Sequence, residues 1–285
     1  MTDPNPMEPR SIAQAIAQAR AVGIDRLDAQ LMIGALLNQP RGWLIAHDDL
    51  LLTRIQSEKL AQWVSRRLDD EPLAYLLGHK EFHGLTLQVD PSVLVPRPET
   101  ELLVDWGLRL LQGPLASAPN ASVIDLGTGS GAIALAIKHR FQAATVTAVD
   151  SSAAALETAR GNAGSLSLAV DWVRGNWWGA VPGRRFDLAL SNPPYIATGD
   201  RHLAALRHEP QNALIAQRDG MADLEEIIDS AHAHLTPGGW LLLEHGHDQA
   251  ASLRERLVSA GFAKVETLND LTGLERCTGG QIHLS

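Results

Sequence analysis

The chain has 285 residues, 45% hydrophobic and 20% charged, which is enough to bury a substantial core and excludes global disorder. Its formal net charge of -9 argues against a phosphate-gripping nucleic-acid binder and suits a basic protein partner. The lone cysteine, Cys277, excludes an internal disulfide and a cysteine zinc site; residues 1–10 lack a signal-peptide core and no apolar run spans a bilayer, so a cytoplasmic protein without membrane contact is expected.

In chain order, Ile12, Ile16, Ala19 and Val22 recur at helical spacing, as do Leu27, Leu31 and residues 33–37. Residues 53–68 place Ile55, Leu60, Trp63, Val64 and Leu68 roughly on one face, with Thr53 as the N-cap. These segments predict a small helical bundle. Residues 81–89 partly alternate, as a hairpin or extended linker does, and Pro91, Pro96 and Pro98 stiffen the approach to a helix starting near Glu99. Residues 115–121 predict a loop.

From Ser122 the texture becomes strand–helix alternation. Strands are predicted at 123–126, 145–150, 186–190, 240–243 and 265–268, and helices at 132–138, 152–162, 221–234 and 254–260. Such alternation implies an α/β fold, a mostly parallel sheet with helices on both faces. No internal repeat is present.

The turn Asp125-Leu126-Gly127-Thr128-Gly129-Ser130-Gly131 joins a strand to a helix, where glycines permit a tight turn and close approach of a ligand. Gly127, Gly129 and Ala132 also satisfy the dinucleotide fingerprint, with Asp150 placed to hold ribose hydroxyls, so a nicotinamide-dependent enzyme is a rival reading. Asp125 stands just before the turn, where a carboxylate suits the ammonium of a methionine moiety better than a pyrophosphate.

Asn192-Pro193-Pro194-Tyr195 follows a strand and borders the ligand crevice expected of a doubly wound sheet. The two prolines withhold their N–H groups, the Asn192 side chain adds an acceptor, and Tyr195 offers a flat face. Together they suit a planar, conjugated NH₂ group, with both hydrogens accepted at the Asn192 side-chain oxygen and the Pro193 carbonyl. Held so, the nitrogen lone pair is drawn out of conjugation and aimed at a sulfonium methyl. A nucleobase amine and a glutamine carboxamide both present such a nitrogen.

The ordered set Glu71 to Gly78, Phe82-His83-Gly84, Val95 to Glu101, Asp125 to Gly131, Asn192 to Tyr195 and Leu242 to Gly246 resembles the bacterial release-factor glutamine methyltransferases, the PrmC/HemK family, over nearly the whole chain. The resemblance implies a class I, Rossmann-like methyltransferase fold with a seven-stranded sheet. It implies a helical substrate-recognition domain at 1–80, a hairpin or linker at 81–98 and the catalytic domain at 99–285. It further implies S-adenosylmethionine as cofactor, held by Asp125, Gly127, Thr128, Gly129, Ser130, Gly131, Asp150, Trp177 and Asn192. Asn176 stands where the family usually has an acid. Asn192, Pro193, Pro194 and Tyr195 would hold the substrate glutamine, in the Gly-Gly-Gln loop of class I peptide-chain release factors, with Asn192, Pro193 and Tyr195 in the catalytic role. The enzyme that methylates a ribosomal-protein glutamine is the nearest alternative, and a DNA adenine methyltransferase a more distant one.

His232, His234, His245 and His247 lack a recognised ligand spacing, and no metal is expected. Gly279-Gly280-Gln281 repeats the family's target tripeptide in the chain's own tail, where a terminal strand would not present it as a free loop.

Overall fold

The computed structural model describes residues 10–116 and 120–283, arranged as two compact units, Met1–Gly78 and His79–Ser285. The polar amino-terminal segment, apart from Arg10, and residues 117–119 of the expected loop lie outside the described residues. Among those described, no helix is long and apolar enough to cross a membrane.

Among the described residues the first unit holds five helices: α1 (Ile12–Ala21), α2 (Arg26–Leu37), α3 (Arg41–Ala46), α4 (Arg54–Leu68) and α5 (Leu73–Leu77). Thr53 caps α4 as its sequence predicts. Its side chain accepts from the Gln56 N–H while the Gln56 side chain accepts from the Thr53 N–H. Such reciprocal caps are worth about 1 kcal/mol each, and Ser11 and Gln14 repeat the device on α1. Ile12, Met32, Ile33, Leu44, Leu60 and Trp63 form the core. The predicted apolar face of α4 is only partly buried: Ile55 is 79% and Leu68 48% exposed, because the stripe packs through the middle of the helix and its ends overhang.

The second unit opens with the hairpin β1 (His79–Phe82) and β2 (Leu85–Gln88), turned by His83 and Gly84, both at positive φ. Helix α6 (Thr100–Gln112) follows the proline-stiffened approach. Then come β3 (Ser122–Leu126), α7 (Ala132–Arg140), β4 (Thr145–Asp150), α8 (Ala153–Leu166), β5 (Asp171–Arg174) and β6 (Phe186–Ser191). Two short strands, β7 (Ile196–Ala197) and β8 (Ile215–Ala216), pair with each other; α9 (Ala222–His234), β9 (Leu235–Glu244), α10 (Ala250–Ser259), β10 (Ala263–Asn269) and β11 (Glu275–Gln281) complete the chain.

The seven-stranded sheet has the order β10-β11-β9-β6-β3-β4-β5. The run from β9 to β5 is parallel, and β11 is antiparallel to both its neighbours. Separate apolar clusters pack on the sheet: Leu103, Val104, Leu111 and Ile133 belong to one, Leu224, Ile227, Leu253 and Leu257 to the other. The strand order reverses between β3 and β6, and there the crevice of a doubly wound sheet opens at the strand carboxyl ends. Both signature segments, after β3 and after β6, leave the sheet at this point.

Candidate active site

A cavity of about 380 Å³ opens at that crevice, inside the roughly 300–1,000 Å³ range of small-molecule sites. Gly127 and Gly129 form one wall, Asp150 and Trp177 another, and Asn192 and Pro194 a third.

The glycine turn is fixed from below. The N–H groups of Gly127 and Thr128 both donate to the Val149 carbonyl at 2.9 Å, bending the chain over the end of β4. Gly127 has φ +75°, and a Cβ there would lie 3.0 Å from the Trp177 ring. Gly131, at φ +84°, packs its bare Cα against Leu135, Trp172 and Ala159. Asp150 accepts from the Gly129 N–H and the Ser152 N–H, each at 2.8 Å, and burial raises its pKa above the usual carboxylate range. Its carboxylate retains lone pairs for hydroxyl donors in the cavity.

Four of the predicted cofactor residues do not line the cavity but support it. Thr128, Ser130 and Gly131 are buried in the turn, and Asp125 lies beneath it with no exposure. Asp125 Oδ2 accepts from the Thr128 hydroxyl at 2.6 Å and the Ala134 N–H at 3.1 Å, while Oδ1 has no partner. Burial pushes its pKa up to about 7, an effect that the Thr128 hydroxyl opposes. Asp125 therefore stiffens the turn from inside the sheet.

Trp177 reaches the cavity from the end of β5 with φ +43°, a left-handed backbone that costs a non-glycine residue of order 1–3 kcal/mol. Burial raises the pKa of Asp223, which lines the same cavity, and the neighbouring Trp177 side chain opposes the rise. Asn176 also lines the cavity.

At the other end, Asn192 and Pro194 face the cavity, while Pro193 is buried and Tyr195 packs behind them against the apolar cluster of Leu224 and Leu243. The flat face expected of Tyr195 is thus not part of the cavity wall. Its hydroxyl instead donates to Glu244 Oε1 at 3.4 Å, and burial raises its pKa.

Several lining residues were not read from the sequence. Ser92, Val93 and Leu94 come from the segment after the hairpin, Pro210, Asn212 and Ala213 from the segment before β8, and Ile215 from the start of β8. Glu209, buried, joins these two walls: it accepts from the Val95 N–H at 3.0 Å and from the Arg97 guanidinium. Three residues of the segment Arg97-Pro98-Glu99-Thr100-Glu101 are thereby explained. Arg97 pairs with Glu209, Thr100 meets Asn192, and Glu101 accepts from the His83 N–H at 2.9 Å. Arginine-to-acid spacing of this length leaves no local sequence signal.

Three of the histidines at 232, 234, 245 and 247 are occupied with structure, and His247 is exposed. His232 reaches the Ala260 carbonyl, His234 stacks on Trp178 at 5.0 Å, and buried His245 sits between the Gly246 carbonyl and Thr278. Gly279, Gly280 and Gln281 lie in β11, opposite Leu242, Leu241 and Trp240. A Cβ on Gly279 would meet the Leu241 carbonyl at 2.6 Å, and the Gln281 amide donates to the Gly238 carbonyl at 2.9 Å. That tripeptide is a packing element of the sheet, and its carboxamide is already spent.

Known proteins bear on this geometry. Residues 100–273 match the family described as Methyltransferase small domain, and residues 10–78 match the PrmC N-terminal domain. The release factor glutamine methyltransferase of Bordetella pertussis is 46% identical over 91% of this chain and 96% of its own length; that of Salmonella typhimurium is 41% identical over 94% and 96%. Among solved structures, a T. Thermophilus 16S rRNA N2 G1207 methyltransferase, in complex with AdoMet and guanosine, shares the fold at TM-score 0.54. It is 20% identical, with 72% of this chain and 50% of that one covered.

Proposed function

The chain belongs to the release factor glutamine methyltransferases, and we propose that the Asn192–Tyr195 corner of its cavity holds the glutamine of a release factor's Gly-Gly-Gln loop for methylation at the side-chain nitrogen. The enzyme is an S-adenosylmethionine-dependent methyltransferase. One observation carries the site assignment: the glycine turn, Asp150 and Asn192 share a single cavity.

The residues present fit the cofactor. A Cβ at Gly127 would crowd Trp177, so the bare turn leaves a cradle beside an aromatic ring, and Asp150 offers carboxylate acceptors to ribose hydroxyls. Trp177 would flank the adenine, and Asp223 and Glu226, which line the same cavity, would supply the acidic contacts that Asn176 does not. Asp125, Thr128, Ser130 and Gly131 act by holding the turn. When bound, S-adenosylmethionine supplies an electrophilic methyl group.

The chain's own residues present the nucleophile. Asn192 Oδ1 and the Pro193 carbonyl accept the two carboxamide hydrogens, and the prolines at 193 and 194 offer no competing N–H. An amide nitrogen so gripped turns its lone pair out of conjugation and along the line of transfer. Positioning of this kind contributes several kcal/mol, up to about 7–11 in well-oriented systems. The proton leaves for water after transfer, because N-methylation disperses charge from the sulfonium and needs no strong base beforehand. Tyr195 sets the corner from behind through its bond to Glu244. The helical unit Met1–Gly78 serves substrate recognition, and an acidic chain acting on a translation factor belongs in the cytoplasm.

A labelled-methyl assay offering release factor, ribosomal protein and DNA in parallel tests this reading. Transfer is expected to the release factor alone, at the glutamine of its Gly-Gly-Gln loop. Asn192→Ala is expected to lower turnover by about 10²–10³-fold or more while the cofactor dissociation constant stays within a few-fold. Near-normal turnover in that variant removes Asn192 from the mechanism.

A further inference from the structure

The corner that grips the carboxamide has little to hold itself with. Pro193 and Pro194 carry no N–H, and the Pro193 carbonyl is reserved for the substrate. Both φ angles are fixed by the rings, so the direction of that carbonyl follows from where the two ends of the run Asn192–Tyr195 are anchored. The upstream end belongs to the large sheet. Ser191 pairs with Leu126 and Leu243, and its hydroxyl donates to the Leu126 carbonyl at 2.6 Å. The downstream end has left that sheet for the short strand β7, which pairs only with β8.

Gln249 holds this second end. It is 9% exposed and stands at the N-cap position of α10, yet its side chain makes no capping bond. Oε1 accepts from the Gly246 N–H at 2.9 Å, while Nε2 donates to the Tyr195 carbonyl at 3.1 Å and to the Asp219 carbonyl at 3.4 Å. One backbone donor and two backbone carbonyls fix the orientation of the amide, because a half-turn would set N–H against N–H and oxygen against oxygen. The same peptide is crowded by the loop between β8 and α9. Arg218, Asp219 and Gly220 run at φ +51°, +55° and +85°, and a Cβ on Gly220 would overlap the Tyr195 carbonyl and stand 2.6 Å from Gln249 Nε2. Only glycine fits at that position.

We infer that Gln249 is a positioning residue for methyl transfer: it ties the Tyr195 carbonyl to Gly246 and to the Gly220 loop, and so fixes where Asn192 and the Pro193 carbonyl point. The inference rests on these two groups holding the glutamine, as proposed above. Gln249, Gly220 and Tyr195 are not among the residues lining the cavity, so the clamp acts through the backbone of the motif. It also gives Gly246 a part to play, since its N–H is the group that orients the amide.

The test compares Gln249→Met, Gly220→Ala and Asn192→Ala in the full-length enzyme, with purified release factor and labelled S-adenosylmethionine at saturation. Gln249→Met keeps the length of the side chain and removes its hydrogen bonds. Single-turnover transfer is expected to slow about 10–100-fold, the order of loss that a misplacement of about 1 Å produces. The cofactor dissociation constant should stay within two-fold by calorimetry, a split that a general loosening of the cavity would not give. Gly220→Ala pushes on the same peptide with the Gln249 amide still present and should show the same split. The double variant should lose less than the product of the two single losses, because both act through one peptide. If Gln249→Met folds poorly, Gln249→Asn withdraws the amide by one methylene and carries the same expectation. A full single-turnover rate in the Gln249 variants beside an inactive Asn192→Ala overturns the positioning role alone. A loss matched by an equal rise in the cofactor dissociation constant, or a multiplicative loss in the double variant, does so too. Near-parental turnover of Asn192→Ala overturns instead the assignment of the glutamine site.

Discussion

The two ends of the cavity are built from different materials. At the glycine end the working surface is backbone: three positive-φ glycines, paired N–H groups on Val149, and Asp150 taking its position from two main-chain donors. At the asparagine end the surface is a side-chain amide, and it is held by another side chain, Thr100, brought from α6, whose Oγ1 accepts from Asn192 Nδ2 at 3.1 Å. A surface made of backbone is as rigid as the sheet beneath it. One made of side chains is only as fixed as its hydrogen-bond polarity. The two ends should accordingly fail in different ways, the first in affinity and the second in turnover.

Asp150→Ala should produce the largest loss confined to the glycine end. It removes the proposed ribose acceptors and leaves the Gly129 and Ser152 N–H groups without their partner, each such loss being worth about 1–3 kcal/mol. The cofactor dissociation constant is expected to rise about 10²-fold or more, with kcat at saturating cofactor reduced far less. A collapse of kcat with affinity intact would erase the distinction between the ends. Gly127→Ala comes next: the Cβ lands 3.0 Å from the Trp177 ring in a left-handed backbone. A rise of about ten-fold in the cofactor dissociation constant is expected, from roughly 1–2 kcal/mol of strain. Quenching of tryptophan fluorescence on cofactor addition would report it directly, and an unchanged titration would show that Trp177 gives way freely.

This difference also sets what the sequence discloses. Glycine spacing after a strand is local, and so is the run of Asn192 to Tyr195, so both ends of the cavity are visible in the chain itself. Contacts between distant segments are not. Nothing near Thr100 announces that it will meet Asn192, 92 positions away, and nothing near Arg97 points to Glu209. Fold elements divide in the same manner. The central strands read as buried apolar runs, whereas β5, an edge strand whose residues are exposed or half-buried, gives no alternating pattern. Strand β9 begins at Leu235, well before the predicted start at Trp240. Its Thr236-Pro237-Gly238-Gly239 stretch has turn composition because the pairing with β6 shifts register there, and Gly239 passes 3.1 Å from the Phe186 carbonyl, measured from where a Cβ would stand. The position of Asp125 before the turn suggests contact with the cofactor, but the strand register buries it beneath the turn and out of the cavity wall.

The smallest effect is the most specific to the asparagine end. Burial pushes the Glu244 pKa up to about 7, opposed by the Thr100 hydroxyl; Glu99 raises it further, while Tyr195 and Arg276 lower it, and the Cys277 thiol lies beside it. In the unfolded chain this carboxyl ionises near 4.3. Between those values the folded state holds the extra proton, so the contribution of Glu244 to stability declines as pH rises from about 4 to 7 and is then constant. Removing the charge cancels that slope. The stability of Glu244→Gln relative to the parent should therefore climb from pH 5 to pH 7, by at most about 1.4 kcal/mol per pH unit, and level off above pH 8. A stability difference that stays flat between pH 5 and pH 8 would show that burial leaves the Glu244 carboxyl at its ordinary value.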